Sequence, residues 1–254
     1  MSILAYHMVE PRFFWGVTRV TPQRFRKQIE WLIAQNFTFQ TISSYLNSHH
    51  SSNTTIALTF DDGYASVYHH AFAYLKTLDI RATLFVNPAF VGQFNTWDIN
   101  VGGIRFRHMS WPQLEILRDA GWEIGIHGFS HKDLTRLENY KVEEEICKAK
   151  YLLQRNLGIC SPVISYPFGN VNSPVYYIAK QYGYTAGLVM SGSSETVPPE
   201  FRIQRTGIYL WDTRTLLRFK VKTQNNVLSF GVQKVMDMCS NATVLLKQKS
   251  WTNH

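Results

Sequence analysis

The sequence lacks any apolar run long enough to cross a membrane, and only 17% of its 254 residues are charged. That low charge, together with 45% hydrophobic residues, excludes an intrinsically disordered chain and is enough for a sizeable core. The sequence also lacks internal repeats and linker-like stretches that would divide it. We therefore expect a single domain over residues 1–254, in which residues 220–254 form a weakly patterned C-terminal extension.

Cysteine is scarce, and Cys147, Cys160 and Cys239 have spacings unlike those of metal-binding motifs. An odd number of scattered thiols fits a reducing compartment. The first residues also lack the basic segment and long apolar core of a signal peptide. We therefore expect a cytoplasmic protein with no membrane span, and we leave peripheral membrane association and export open.

Acidic residues are in the minority, since the chain has 26 Lys and Arg residues but 18 Asp and Glu residues. The basic residues are scattered along the chain, so we attribute the net charge of +8 mainly to solubility. We predict no nucleic-acid partner on this basis. The oligomeric state stays open.

Strand and helix patterns alternate along almost the whole chain. A hydroxyl residue followed closely by proline indicates a helix start at Thr21 and again at Ser110. The predicted strands cover residues 3–6, 37–40, 55–58, 82–86, 123–126, 163–166, 185–189 and 203–206. Alternation of this kind predicts parallel strands with crossover helices, and so many units favour a closed or nearly closed barrel. In such a barrel the C-terminal strand ends converge on one face.

Two adjacent carboxylates, Asp61 and Asp62, follow the predicted strand at 55–58 and precede a helix. Two neighbouring acids repel each other, and a metal ion or a shared proton would remove that cost. The alternative interpretation is that Asp-Asp-Gly is only a turn, because all three residues favour turns.

Two histidines, His127 and His131, follow another predicted strand and are four residues apart. On one helical turn this spacing would point both imidazoles the same way. Two histidines and one carboxylate form a common set of three zinc ligands that leaves a position open for water. Two unrelated loop histidines are the alternative.

The order of three motifs resembles the polysaccharide deacetylases of carbohydrate esterase family 4. These motifs are Thr59-Phe60-Asp61-Asp62-Gly63, His127-x-x-Ser130-His131 and Tyr166-Pro167-Phe168-Gly169. The resemblance covers about residues 3–208. It implies a distorted (β/α) barrel with about seven parallel strands, a divalent metal that is most often Zn²⁺, and removal of N-acetyl groups from an amino sugar in a glycan.

The resemblance also implies roles for individual residues. Asp62, His127 and His131 would be the metal ligands, and Asp61 would be the general base. The backbone N–H of Phe168 would stabilise the oxyanion. The expected partner is an acetylated glycan or amino-sugar substrate.

Further substrate contacts are expected where a strand ends and in the long loop at 87–109. We name Tyr166, Trp97 and Asp98 as these candidates. The alternatives for function are a deacylase acting on another acyl or amide substrate, and a catalytically weak barrel that holds a metal and binds carbohydrate.

The sequence departs from the family pattern at three places. Gly128 follows the first of the two histidines, where the family often has threonine or serine. The arginine that often begins the third motif is replaced by Ser165, and no late histidine is visible in residues 207–211. Arg205 could supply the missing guanidinium from a later strand, but we interpret it as an ordinary surface arginine. His7 ends the first strand, and we predict it as the proton donor, since histidine titrates near neutral pH. The alternative is that His7 only orients a neighbour such as Asp61.

Overall fold

The computed structural model describes residues 2–12, 18–48, 54–96, 105–190 and 196–222. Within these ranges the strands are β1 (Ser2–Tyr6), β2 (Met8–Val9), β3 (Arg19–Val20), β4 (Thr38–Gln40), β5 (Thr55–Phe60), β6 (Thr83–Val86), β7 (Glu123–Ile126), β8 (Val163–Ser165), β9 (Ala186–Val189), β10 (Ile203–Gln204) and β11 (Thr206–Gly207). The α-helices are α1 (Pro22–Ala34), α2 (Ile42–Asn47), α3 (Ala73–Thr77), α4 (Trp111–Asp119), α5 (Asn139–Leu157), α6 (Ser173–Gln181) and α7 (Arg214–Lys222). A π-helical segment, Val67–Phe72, runs directly into α3.

Parallel strands form one sheet in the order β10, β9, β8, β7, β6, β5, β1, β11. The two ends of this order, β10 and β11, are separated in the chain by Arg205 alone. The sheet therefore curls into a nearly closed barrel, and the predicted distorted (β/α) barrel is confirmed. The first half of β5 pairs with β4, and its last residues pair with β6.

Strands β1, β5, β6, β8 and β9 are buried along their whole length, as expected for parallel strands covered by helices. Aromatic rings connect β1 and β5 to each other and to α1, where Phe25 packs edge-on against Tyr6 with ring centroids 5.3 Å apart. Tyr6 stacks on Phe60 with ring centroids 5.5 Å apart, and Phe60 stacks on Trp122 at the same distance. Such contacts hold the ends of these two strands in register, which matters because Asp61 follows β5 directly.

Helix ends follow the sequence signals. Thr21 caps α1 by accepting a hydrogen bond from the backbone N–H of Arg24 at 3.3 Å. Ser110 and Gln113 form a capping box at the start of α4. Gly158 ends α5 in the left-handed conformation, with φ of 71°.

The last predicted strand, residues 203–206, is interrupted at Arg205. The predicted extension begins inside α7, and residues 223–254 lie outside the described part of the chain. In the described part, none of the helices combines the length and the apolar character that a membrane crossing needs.

Candidate active site

The polar residues predicted at strand ends lie together at the C-terminal edge of the barrel. Asp61 follows β5, His127 follows β7, and Ser165 is the last residue of β8. The register pairs neighbouring strand ends, for example Val86 with Ile126 and Ile126 with Ile164. Parallel register therefore brings residues that are distant in sequence to one edge.

Asp62, His127 and His131 converge on one point. The Oδ1 atom of Asp62 lies 3.3 Å from Nε2 of His131 and 3.6 Å from Nε2 of His127. One donor atom from each residue lies within 4.8 Å of the others. Two imidazole nitrogens and a carboxylate oxygen at this spacing form a chemically suitable donor set for a divalent cation.

The protonation state of His127 also fits metal binding. Its Nδ1 donates a hydrogen bond to the carbonyl of Ser165 at 2.9 Å, so that in the neutral ring Nε2 carries the lone pair. Burial lowers the pKa of His127 to about 4, against the opposing influence of Asp61. The ring is therefore neutral at pH 7, as a metal ligand must be.

Asp62 is held as a carboxylate. Burial would raise its pKa, but the imidazoles of His131, His7 and His127 keep it well below its usual range. The residue also has φ of 71°, a left-handed conformation that is unfavourable for a side chain with Cβ. His108 donates from Nδ1 to the Asp62 carbonyl at 2.8 Å and holds this turn.

Gly63 continues the left-handed turn, with φ of 72°. A Cβ atom at this position would lie 2.9 Å from Cγ1 of Val86, which is closer than real contacts allow. The glycine is therefore required both by the backbone conformation and by the close approach of β6.

The segment from His127 to His131 is a loop and not the helical turn on which this spacing would point both rings the same way. Gly128 and His131 both have left-handed φ angles, 68° and 57°. The rings of the two histidines nevertheless meet, with centroids 5.1 Å apart. A Cβ at Gly128 would lie 3.2 Å from Pro167 Cγ, a tight contact, and the left-handed backbone there also favours glycine.

Arg205, interpreted from the sequence as a surface residue, lies buried in this site. Its side chain is 0% exposed and forms two hydrogen bonds to Asp61, Nη1 to Oδ1 at 2.8 Å and Nη2 to Oδ2 at 2.6 Å. Its Nη2 also donates to Ser165 Oγ at 2.9 Å, and its Nη1 donates to Thr59 Oγ1 at 3.2 Å. The interpretation as a surface arginine is therefore wrong.

Ser165 leaves room for this guanidinium. Its hydroxyl lies 3.4 Å from both Asp61 oxygens, on the strand where the family often has its own arginine. The signal available in the sequence was an arginine inside the predicted strand at 203–206. Periodicity alone does not reveal whether such a residue points into the barrel.

Arg205 changes the chemistry of Asp61. Burial would raise the pKa of this carboxyl, but Arg205 and His127 hold it below its usual range. Asp61 Oδ2 lies 4.0 Å from Nε2 of His127, so that a carboxylate ionised at neutral pH lies beside the donor set. Such a group can accept a proton from a water bound between them.

His7 and Phe168 both lie at the site. His7 is half-buried, its charge would lower the pKa of both Asp61 and Asp62, and its Nδ1 has no hydrogen-bond partner among the residues described. The ring of Phe168 packs edge-on against His131 with centroids 4.7 Å apart, and Phe168 has φ of 60°. Strained backbone at Asp62, His131 and Phe168 is typical of functional sites.

Tyr166 is fully buried, and its hydroxyl lies over Gly187. This environment gives the ring a packing role, and its contact with substrate stays a prediction. Trp97 and Asp98 lie outside the described residues.

Comparisons with known proteins show what this chain is similar to. A family model described as polysaccharide deacetylase matches residues 48–187, more than half of the chain. The poly-β-1,6-N-acetyl-D-glucosamine N-deacetylase of Staphylococcus epidermidis is 25% identical over 199 residues, which cover 73% of this chain and 66% of that protein. The chain spans 63% to 66% of the length of the first curated relatives that it matches.

Two solved structures share the fold. IcaB from Ammonifex degensii has a TM-score of 0.71 at 21% identity, covering 87% of this chain and 94% of that one. The deacetylase PplD of Streptococcus pyogenes, solved in complex with acetate, has a TM-score of 0.73 at 20% identity, covering 87% and 98%. At these identities the likeness shows the fold alone.

Proposed function

This chain belongs to the polysaccharide deacetylase family, and from that premise we propose that it is a metal-dependent hydrolase that removes N-acetyl groups from an amino sugar in a polysaccharide or glycoconjugate. One observation carries the proposal: Asp62, His127 and His131 meet beside the buried carboxylate of Asp61. Hydrolysis of an amide at neutral pH needs both an activated water and a group that accepts its proton. We also propose that residues 1–254 form one domain.

Asp62, His127 and His131 would hold the divalent cation, and Zn²⁺ is the ion that most often occupies such a donor set. When bound, the cation supplies Lewis acidity, which makes water more acidic and polarises an amide carbonyl. The Nδ1 hydrogen bond from His127 to Ser165 fixes the orientation of one ligand.

The remaining steps belong to other side chains. Asp61 accepts the proton of the attacking water, and Arg205 keeps the Asp61 carboxylate aligned and ionised. The backbone N–H of Phe168 stabilises the developing oxyanion, and its place beside His131 supports that role. His7 protonates the departing amine.

The Asp61–Arg205 pair favours catalysis over simple carbohydrate binding. A site that only held a metal would have no use for a second buried carboxylate with its own bidentate partner. The first alternative is therefore a deacylase that acts on another acyl or amide substrate. The second alternative is the catalytically weak barrel that holds a metal and binds carbohydrate.

Acetate release tests the function directly. The relatives that carry the name poly-β-1,6-N-acetyl-D-glucosamine N-deacetylase make a β-1,6-linked N-acetylglucosamine oligomer the first substrate to assay. A β-1,4-linked oligomer and an O-acetylated sugar are the comparisons. We expect zinc-loaded protein to release acetate from an N-acetylated oligomer, chelator to abolish the release, and Zn²⁺ to restore it.

The same preparations test the metal. We expect about one divalent ion per chain by elemental analysis, and a ligand at a hundred times its dissociation constant adds about 2.7 kcal/mol to the unfolding free energy. Stoichiometric metal in the Asp62→Ala/His127→Ala/His131→Ala variant would contradict the site. A metal-loaded wild type that releases no acetate from any of these sugars would contradict the activity.

The role of His7 is tested by His7→Gln. As the proton donor, its loss should flatten the alkaline limb of the rate profile while metal content stays normal, because the amine then leaves without its acid. An orienting role would instead give a uniform loss with both limbs kept. His69→Gln, at an exposed histidine, is the control. Unchanged activity in His7→Gln would remove this residue from the mechanism.

A further inference from the structure

The loop that carries His131 needs an external support. Gly128 and His131 are both left-handed, and this conformation costs energy at a residue with a side chain. The loop contributes no helix or strand of its own between His127 and the turn at Leu134–Arg136. Something outside the loop must therefore hold His131 where it meets Asp62.

Glu145, on α5, makes that contact. Its Oε2 accepts hydrogen bonds from the consecutive backbone N–H groups of Phe129 at 2.9 Å and Ser130 at 2.8 Å. Its Oε1 accepts from the Ser130 hydroxyl at 2.5 Å, and the exposed Lys132 ammonium lies 3.7 Å away. A single carboxylate thus binds two successive residues between the two histidines.

The carboxylate is not required by the packing of α5. Glu145 is 4% exposed and lies on the same buried face as Val142, Ile146 and Ala149. An apolar side chain would cover that face without the cost of burying a charge. The cost is offset by the three hydrogen bonds from the loop, and it is the loop that gains a fixed shape from them.

We propose that Glu145 is a positioning residue that sets the affinity and geometry of the metal site by holding the His127–His131 loop. It is not one of the proposed metal ligands, and it acts through the backbone of Phe129 and Ser130. The inference rests on the proposed metal-dependent function, and it adds a residue from a helix outside the three motifs.

Metal affinity, measured apart from activity, tests the proposal. Zn²⁺ dissociation constants would be measured by competition with a chromophoric chelator for wild type, Glu145→Gln, Glu145→Ala and Ser130→Ala. Loss of such a supporting group weakens metal binding by about 10- to 100-fold. We expect the largest loss in Glu145→Ala and a smaller one in Glu145→Gln, whose amide oxygen still accepts from the backbone.

Glu144→Gln is the matched control, because Glu144 is the exposed neighbour on the same helix. The visible spectrum of Co²⁺-loaded protein gives a second readout, and its bands should change in the Glu145 variants and not in the control. Ser130→Ala keeps the test valid if a Glu145 variant does not fold, since it removes one hydrogen bond without burying an unpaired charge.

The outcomes are distinguishable. A wild type that binds no Zn²⁺ would overturn the proposed function itself. Zinc affinity within twofold of wild type in folded Glu145 and Ser130 variants, with an unchanged Co²⁺ spectrum, would overturn the positioning role and leave the metal site in place.

Discussion

Replacing Asp61 with asparagine is expected to remove nearly all turnover while the metal is retained. Asparagine has almost the same shape, but it cannot accept a proton from water at neutral pH. The expected loss in kcat is about a hundredfold or more, the usual contribution of a general base. The measurement is acetate release by zinc-loaded Asp61→Asn, with metal content determined on the same sample.

Asparagine variants at two other aspartates test whether the effect at Asp61 comes only from the loss of a negative charge. Asp62→Asn should lose metal affinity first, because Asp62 supplies a ligand atom. Asp119→Asn, at an exposed residue paired with Arg118, should change neither quantity. Near-native turnover in metal-loaded Asp61→Asn would show that the roles of Asp61 and Asp62 are wrongly assigned.

Replacing Arg205 with methionine is expected to affect stability as strongly as activity. The change leaves the Asp61 carboxylate buried without its bidentate partner, and breaking a buried pair in this way costs about 3–5 kcal/mol of unfolding free energy. Arg205 also lowers the pKa of Asp61, against the raising effect of burial. Without Arg205 the pKa of Asp61 rises, so the base becomes protonated at a higher pH. The acidic limb of the plot of kcat against pH therefore shifts to higher pH. Urea unfolding and the pH dependence of kcat measure the two effects.

Arg205→Lys refines this experiment. Lysine keeps a positive charge but cannot form two parallel hydrogen bonds to a carboxylate, so we expect an intermediate loss of both stability and turnover. Arg218→Lys, at an exposed arginine of α7, should change the unfolding free energy by less than about 0.5 kcal/mol. An Arg205→Met protein that is as stable as wild type and keeps its acidic limb would refute the role of the pair.

The architecture was largely determined by local sequence signals. Short apolar runs, hydroxyl caps and proline at helix starts act within a few residues, and they predicted the strands and helices whose alternation makes the barrel. The parallel arrangement then implied that Asp61 and His127 share one edge, because both follow strands of the same sheet. The order of the three motifs indicated the family and the candidate metal ligands from the sequence alone.

The conformation between the two histidines was decided by tertiary structure. Spacing alone favoured a helical turn, whereas the loop has left-handed residues at Gly128 and His131 and hydrogen bonds to Glu145. Glu145 lies 15 residues beyond Ser130, on a helix whose pattern indicates only which face is buried. A carboxylate on that face has no assigned partner until the helix is packed against the loop.

The pairing of Asp61 with Arg205 also depended on the closed barrel. The two residues are 144 positions apart, and Arg205 lies where β10 ends and β11 begins. Local patterns report how a residue relates to its neighbours in the chain, but not which interior it faces or what it meets there. Closure of the sheet pairs β10 with β9 and β11 with β1, so that Arg205 between them directs its guanidinium into the barrel. There it pairs with Asp61, and this pairing keeps the buried Asp61 side chain ionised beside the proposed metal ligands.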